Sequence, residues 1–254
     1  MVRRVVRTVT TRKTRVVRKQ KKSFKKTRIP RSMPLTGFAS SKRVKLAANF
    51  QIASNNSIGS STTDVIYFFG NAMNNAVGGW TAINWPAPTP GLGAAGFTSW
   101  ANIYSRYTVL ATKVTVNVIS LGAVAGSICK VALIPTRGIT SGVTTISDTL
   151  ENKWGIAKYI SVNNSGRNVT RLTKYMSSHK ILGVTQAQYA DADYSAATGG
   201  GATTPSAPVP DSNMFTWNLV TKNCSGQAIP SGTFALDVKV TYYVKFTNCG
   251  LLVG

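Results

Sequence analysis

The chain is predicted to be all-β, an eight-stranded antiparallel jelly roll with long loops behind a basic N-terminal arm. Three observations predict this. The first is strict alternation in "GTFALDVKVTYYVKFTN" (232–248). There Phe234, Leu236, Val238, Val240, Tyr242, Val244 and Phe246 interleave with Ala235, Asp237, Lys239, Thr241, Tyr243 and Lys245. A two-residue period puts one strand face in a core and the other in water. The second is the scarcity of helical periodicity. The third is the length of the connections at 71–98 and 186–212, far more than hairpins need. Long connections fit a two-sheet jelly roll better than a sandwich of the immunoglobulin class.

The chain opens on the arm, residues 1–42. The first 45 residues hold 17 of the 30 Lys+Arg and none of the 7 Asp+Glu, leaving 13 basic and 7 acidic residues for the rest. The first carboxylate is Asp64. So dense a run of like charge cannot collapse on itself, and it is expected to be disordered alone. Its natural partner is a polyanion, because each cation that meets a phosphate releases condensed counterions. The candidate nucleic-acid-binding residues are Arg3, Arg4, Arg7, Arg12, Lys13, Arg15, Arg18, Lys19, Lys21, Lys22, Lys25, Lys26, Arg28, Arg31, Lys42, Arg43 and Lys45. The arm lacks RGG repeats and interleaved aromatics, so it is built for charge rather than base reading. "RKQKKSFKKTR" (18–28) also has the form of a nuclear localisation signal. Pro30, Pro34 and Gly37 then mark a hinge before the shell domain, 43–254.

Within that domain the strand candidates run in order: 43–54, 64–70, 107–120, 127–135, 157–163, 179–185 ("HKILGVT"), 214–220 and 234–246. Val114, Val116 and Val118 face one way in the third, and Lys113, Thr115 and Asn117 the other. Two short helices are expected, at 99–107 and at 147–155, the second with Ser147 as its N-cap. The 71–98 loop carries Trp80, Trp85, Pro86 and Pro88, rigid apolar groups suited to an interface between copies. Charged residues are only 15% of the chain, below the usual quarter or so. A surface of hydroxyls and amides packs against copies of itself without burying unpaired ions.

The residues that chemistry needs are sparse. Asp191 and Asp193 lie close together, but in a loop without the EF-hand pattern. Asp148 and Glu151 sit at an expected helix start, where carboxylates offset the dipole. His179 is the single histidine; Ser177 and Ser178 precede it without a nucleophile elbow. "GLGAAG" (91–96) follows a Pro-rich loop and not a strand, so it is no dinucleotide fingerprint. Cys129, Cys224 and Cys249 are widely spaced and are read as buried free thiols, with no zinc set. No catalytic residue, metal site or cofactor is predicted. No apolar run reaches the roughly 18 residues that cross a bilayer, so no membrane insertion is expected.

A basic arm followed by such a roll resembles the capsid proteins of small icosahedral viruses. "YSRYTVLATKVTVNV" (104–118), "ALIPT" (132–136), "LENKWGIAKYISVNNSGRNVTRLTKYMSSHKILG" (150–183) and "LDVKVTYYVKFTN" (236–248) are similar to segments of the capsid proteins of circular, Rep-encoding single-stranded DNA viruses, the circovirus-like group. The match covers most of 40–254 in order, each motif being loose. The arm is less purely arginine than a typical circovirus arm. The resemblance implies a viral-type jelly roll, about sixty copies in a T=1 shell, and an arm packaging single-stranded DNA inside. It also implies assembly in the host nucleus through the import machinery, and a cell-surface receptor for the virion. A capsid protein of a small RNA virus and a non-viral nucleic-acid-binding β-barrel are the alternatives.

Overall fold

A computed structural model describes residues 39–52, 63–71, 73, 80–83, 94–120, 127–138, 153–162, 169–199, 211–224 and 234–249, all within the unit Pro34–Gly254. Among the described residues ten strands form two antiparallel sheets. They are β1 (Ser41–Ile52), β2 (Thr63–Phe69), β3 (Trp80–Ile83), β4 (Tyr104–Ser120), β5 (Ser127–Arg137), β6 (Ile156–Val162), β7 (Val169–Ser177), β8 (Ala196–Ala197), β9 (Phe215–Asn223) and β10 (Phe234–Cys249). One sheet has the order β1-β10-β4-β7, with β8 on the end of β4; the other has the order β3-β2-β9-β5-β6.

The pairings are nested. β5 pairs with β6, β4 with β7, β2 with β9 and β1 with β10. A single antiparallel ribbon with the β5–β6 connection at its tip, rolled so that β10 meets β4 and β9 meets β5, produces this order. That is the jelly roll. Rolling gives the two longest strands, β4 and β10, a neighbour on both sides and leaves β1 and β7 as the edges of their sheet.

Alternation along the strands builds the core between the sheets. Val114, Val116 and Val118 of β4 and Leu236, Val238, Val240, Val244 and Phe246 of β10 are buried in one cluster with Val131, Leu133, Trp217 and Leu219 of the other sheet. Each such side chain contributes on the order of 1.5–3 kcal/mol by leaving water. Trp217 is fully buried, and its Nε1 donates to Thr112 Oγ1 at 2.8 Å, tying the two sheets together. Helix α1 (Phe97–Ala101) caps one end of the sandwich, with Phe97 edge-on to Tyr107 and Trp100 stacked on Phe246.

Several expectations need correction. "HKILGVT" is not a strand: Ser178–Leu182 is helix α2, burying Ser178 and Leu182 four residues apart. Gly183 ends it at φ 74°, and Val184 N–H donates to His179 C=O, a left-handed cap that glycine adopts without strain. The missing strand is β7, one segment earlier. The expected helix at 99–107 is shorter and earlier, because Tyr104 already starts β4. Residues 186–199 are not open loop. Two 3₁₀ turns (Gln188–Ala190 and Ala192–Tyr194) and β8 lie there, with Tyr189, Ala196 and Thr198 buried. Trp80 begins edge strand β3. The expected helix at 147–155 falls mainly outside the described residues.

Candidate nucleic-acid interface

The register of the first sheet gathers cations onto its outer face. Arg43 lies opposite Lys245, and Lys45 opposite Tyr243. Lys239 lies between Asn49 and Thr115. Lys113 lies between Thr241 and Tyr175, and Arg171 opposite Asn117. All share the parity opposite to the core valines. Arg43, Lys45, Lys239 and Arg171 are exposed; Lys113 and Lys245 are half-buried. Asp237 is the single carboxylate on this face among the described residues, and its Oδ2 accepts a hydrogen bond from Asn117 Nδ2 at 3.1 Å. Six cations against one occupied carboxylate give a strongly positive surface.

At one end this surface deepens into a groove of about 520 Å³. A β-bulge creates it. Tyr243 pairs with Ala111 but Val244 pairs with Val109, so Leu110 is an extra residue on β4. A bulge breaks the ladder and turns the strand. The carbonyl of Val109 accepts from Ser178 Oγ at 2.6 Å and from Tyr189 Oη at 2.7 Å. These two bonds anchor α2 and the 186–199 segment beside the sheet. Burial pushes the Tyr189 hydroxyl up to about 12, so it stays a donor across the ordinary pH range. Arg106 holds the same segment, with Nε 2.9 Å from Ser195 Oγ.

The groove therefore has three kinds of wall. Arg43, Lys45 and Lys245 supply charge. Leu110 and Ala111 supply an apolar lining. Tyr175 and Tyr243 stand edge to face, ring centroids 5.6 Å apart. His179 and Gln186 add polar groups at the α2 side.

Of the residues singled out from sequence, Arg43 and Lys45 come together here. Lys42 has the opposite parity, opposite Phe246, and is exposed near the start of β1. The fourteen cations from Arg3 to Arg31 lie outside the described residues, as do Trp85, Pro86 and Pro88. Asp191 and Asp193 flank and enter the second 3₁₀ turn, and both are exposed. Among the described residues no group of three or more His, Cys, Asp or Glu stands together. The thiols differ from expectation: Cys129 is buried, but Cys249 is half-buried and Cys224 exposed. Both outliers sit at strand ends, where the sandwich no longer covers them.

Sequence reasoning placed Lys113, Lys239 and Lys245 on wet faces but found neither their convergence nor Tyr175. A signal existed in "VTRLTKYMS", where Arg171, Thr173 and Tyr175 alternate with Leu172 and Met176. It was weak because Lys174 takes a core-parity position.

No family model matches the chain, and no curated protein does. Among solved structures, the chain is similar to broad bean stain virus at 7% identity and TM-score 0.45, covering 83% of this chain and 93% of that one. Tobacco necrosis virus matches at 10% identity and TM-score 0.42, covering 84% of each. Desmodium yellow mottle tymovirus matches at 10% identity and TM-score 0.41, covering 87% and 95%. Likeness of this depth adds nothing to the strand order itself.

Proposed function

We propose that this chain is a structural capsid protein. Copies of the roll tile a small closed shell, about sixty in a T=1 arrangement, and the arm neutralises a single-stranded genome within. One observation carries the reading. A run holding 14 cations and no carboxylate in residues 1–31 leads into a jelly roll whose first strand continues the charge as Arg43 and Lys45. A polyanion partner follows from that charge. The low ion content, and the Trp80, Trp85, Pro86 and Pro88 segment, suit a surface that packs on copies of itself. The chain has no place here as an enzyme; its work is binding and assembly. The virion is its location, with the host nucleus as assembly site if the basic clusters act as an import signal.

The cargo has two readings. The sequence resemblance favours single-stranded DNA. RNA is the alternative, and the arm's charge serves either equally. Negative-stain microscopy and light scattering of the full chain with added nucleic acid test the main claim. Closed particles of about 20 nm are expected for sixty domains of this size; a stable monomer under every condition overturns it. Nuclease sensitivity of the extracted contents then separates DNA from RNA.

A further inference from the structure

The groove at the β4 bulge has features that a general basic lining does not require. Arg43 and Lys245 are directly opposed on neighbouring strands. Like charges so placed repel and destabilise a sheet. A bound anion between them reverses the sign of that contact. Tyr175, on the wet face near the end of β7, is 53% exposed. Its ring meets Tyr243, and Tyr243 is in turn paired with Lys45. Cations beside accessible aromatic rings, over an apolar floor, are the combination by which proteins hold unpaired nucleotides. The volume, about 520 Å³, falls in the range of small-ligand sites.

We infer that this groove seats an unstacked nucleotide of single-stranded nucleic acid, its base on Tyr175 and Tyr243 and its phosphate between Arg43 and Lys245. The inference rests on the capsid reading for its source of nucleic acid, and deepens it. The arm supplies charge. The groove supplies a fixed point where the strand meets the folded domain, beside the strand into which the arm runs. Every base has a π-face, so the seat is indifferent to sequence. It requires a strand that is not base-paired, because a duplex keeps its bases stacked.

The test uses the full chain and a 20-nucleotide single strand of 5-iododeoxyuridine, photocrosslinked and mapped by mass spectrometry. Crosslinks are expected at Tyr175 or Tyr243 as well as in the arm. Tyr175→Leu with Tyr243→Leu should remove the groove crosslinks and weaken binding about 5- to 100-fold, the range set by loss of one stacked base. The salt dependence should stay as it was. Arg43→Gln with Lys245→Gln should do the reverse, lowering the slope of log affinity against log salt by about 0.7, the share of the one phosphate they hold on a single strand. Unchanged thermal unfolding of each variant shows that the fold survives. Crosslinks confined to residues 1–40, in protein that still assembles, overturn the groove and leave the capsid reading standing. Tyrosine variants that lose assembly without nucleic acid, with no groove crosslink, also overturn it and make the patch a contact between copies. Groove crosslinks in a chain that never assembles uphold the seat and remove the capsid reading.

Discussion

The central strands of the two sheets, β10 and β9, treat their outer faces in opposite ways. On β10, residues alternate between buried and wet: Val238 and Val240 are buried, Lys239 is exposed, and Tyr243 and Lys245 are half-buried. On β9, both faces are buried. Phe215, Trp217 and Leu219 face the core, and Thr216, Asn218 and Val220 on the other side are each 0% exposed. Across the ladder from them, Ala132 and Ile134 of β5 are buried too. The polar groups there bond to one another: Asn218 Nδ2 donates to Thr136 Oγ1 at 2.7 Å, and Thr136 and Thr216 hydroxyls lie 2.9 Å apart. Where water reaches a face, charge is cheap to keep. Where it does not, β9 carries amides and hydroxyls that largely pair with one another, although Asn218 Oδ1 finds no partner, and the one buried cation nearby, Lys130, lies over the Tyr159 ring at 5.4 Å. The first sheet thus offers a binding surface, whereas the second is buried on both sides along β9 and the facing part of β5, and reaches water again at Ile128 and Tyr159.

The sharpest way to break this comparison is at the core they share. Trp217→Ala removes the largest fully buried side chain and its bond to Thr112. It should cost about 3–5 kcal/mol, read as a lower urea midpoint; a loss under 1 kcal/mol would mean the sheets do not pack as described. Gly70→Ala comes next. A Cβ there would enter the Phe215 ring, while Gly70 N–H donates to Phe215 C=O at 2.8 Å. Overpacking of about 1–3 kcal/mol is expected, and an unchanged midpoint would refute the contact.

Smaller changes probe the two faces themselves. Thr221 Oγ1 on β9 is buried without a hydrogen-bond partner. Thr221→Val keeps the shape and removes the orphan, so the unfolding free energy should rise by about 0–1 kcal/mol; clear destabilisation would point to a partner for that hydroxyl. On the wet face, Lys239→Gln should change stability by less than about 0.5 kcal/mol. A larger loss would mean that Lys239 is structural. The cysteines give a readout with no change in stability. At pH 8, Cys224 should react with a thiol reagent at once. Cys129, its thiol pushed up to about 11 chiefly by burial, should react only on unfolding. Equal rates would deny the dry interior around β5.

Much of the fold was legible because period-two alternation records a single buried face. β10 and β4 state it in nearly every residue, and they form the centre of their sheet. β9 and β5 were found by β-branched and aromatic content. β7 was not found: its core side holds Leu172 and Met176 but also Lys174, and the pattern breaks. α2 was misread as strand because five residues are too few to show a helical period. The 186–199 segment read as loop from its small residues, yet Tyr189 and Thr198 bury and bond to the backbone of β4 and the turn before it.

By itself the sequence determined the charge of the chain, the separation of a densely cationic arm from a mildly basic roll, and which side of β4 and β10 is wet. These follow from residue type and a local period, both fixed along the chain. Only the tertiary structure decided that Arg43, Lys45, Lys113, Lys239 and Lys245 share one face, that Tyr175 meets Tyr243, and that a bulge at Leu110 opens a groove between them. Register sets such meetings. β1 and β10 begin 193 residues apart, and a one-residue slip of either would turn its cations into the core. The core side chains choose the register, and the binding face is what that choice leaves outside.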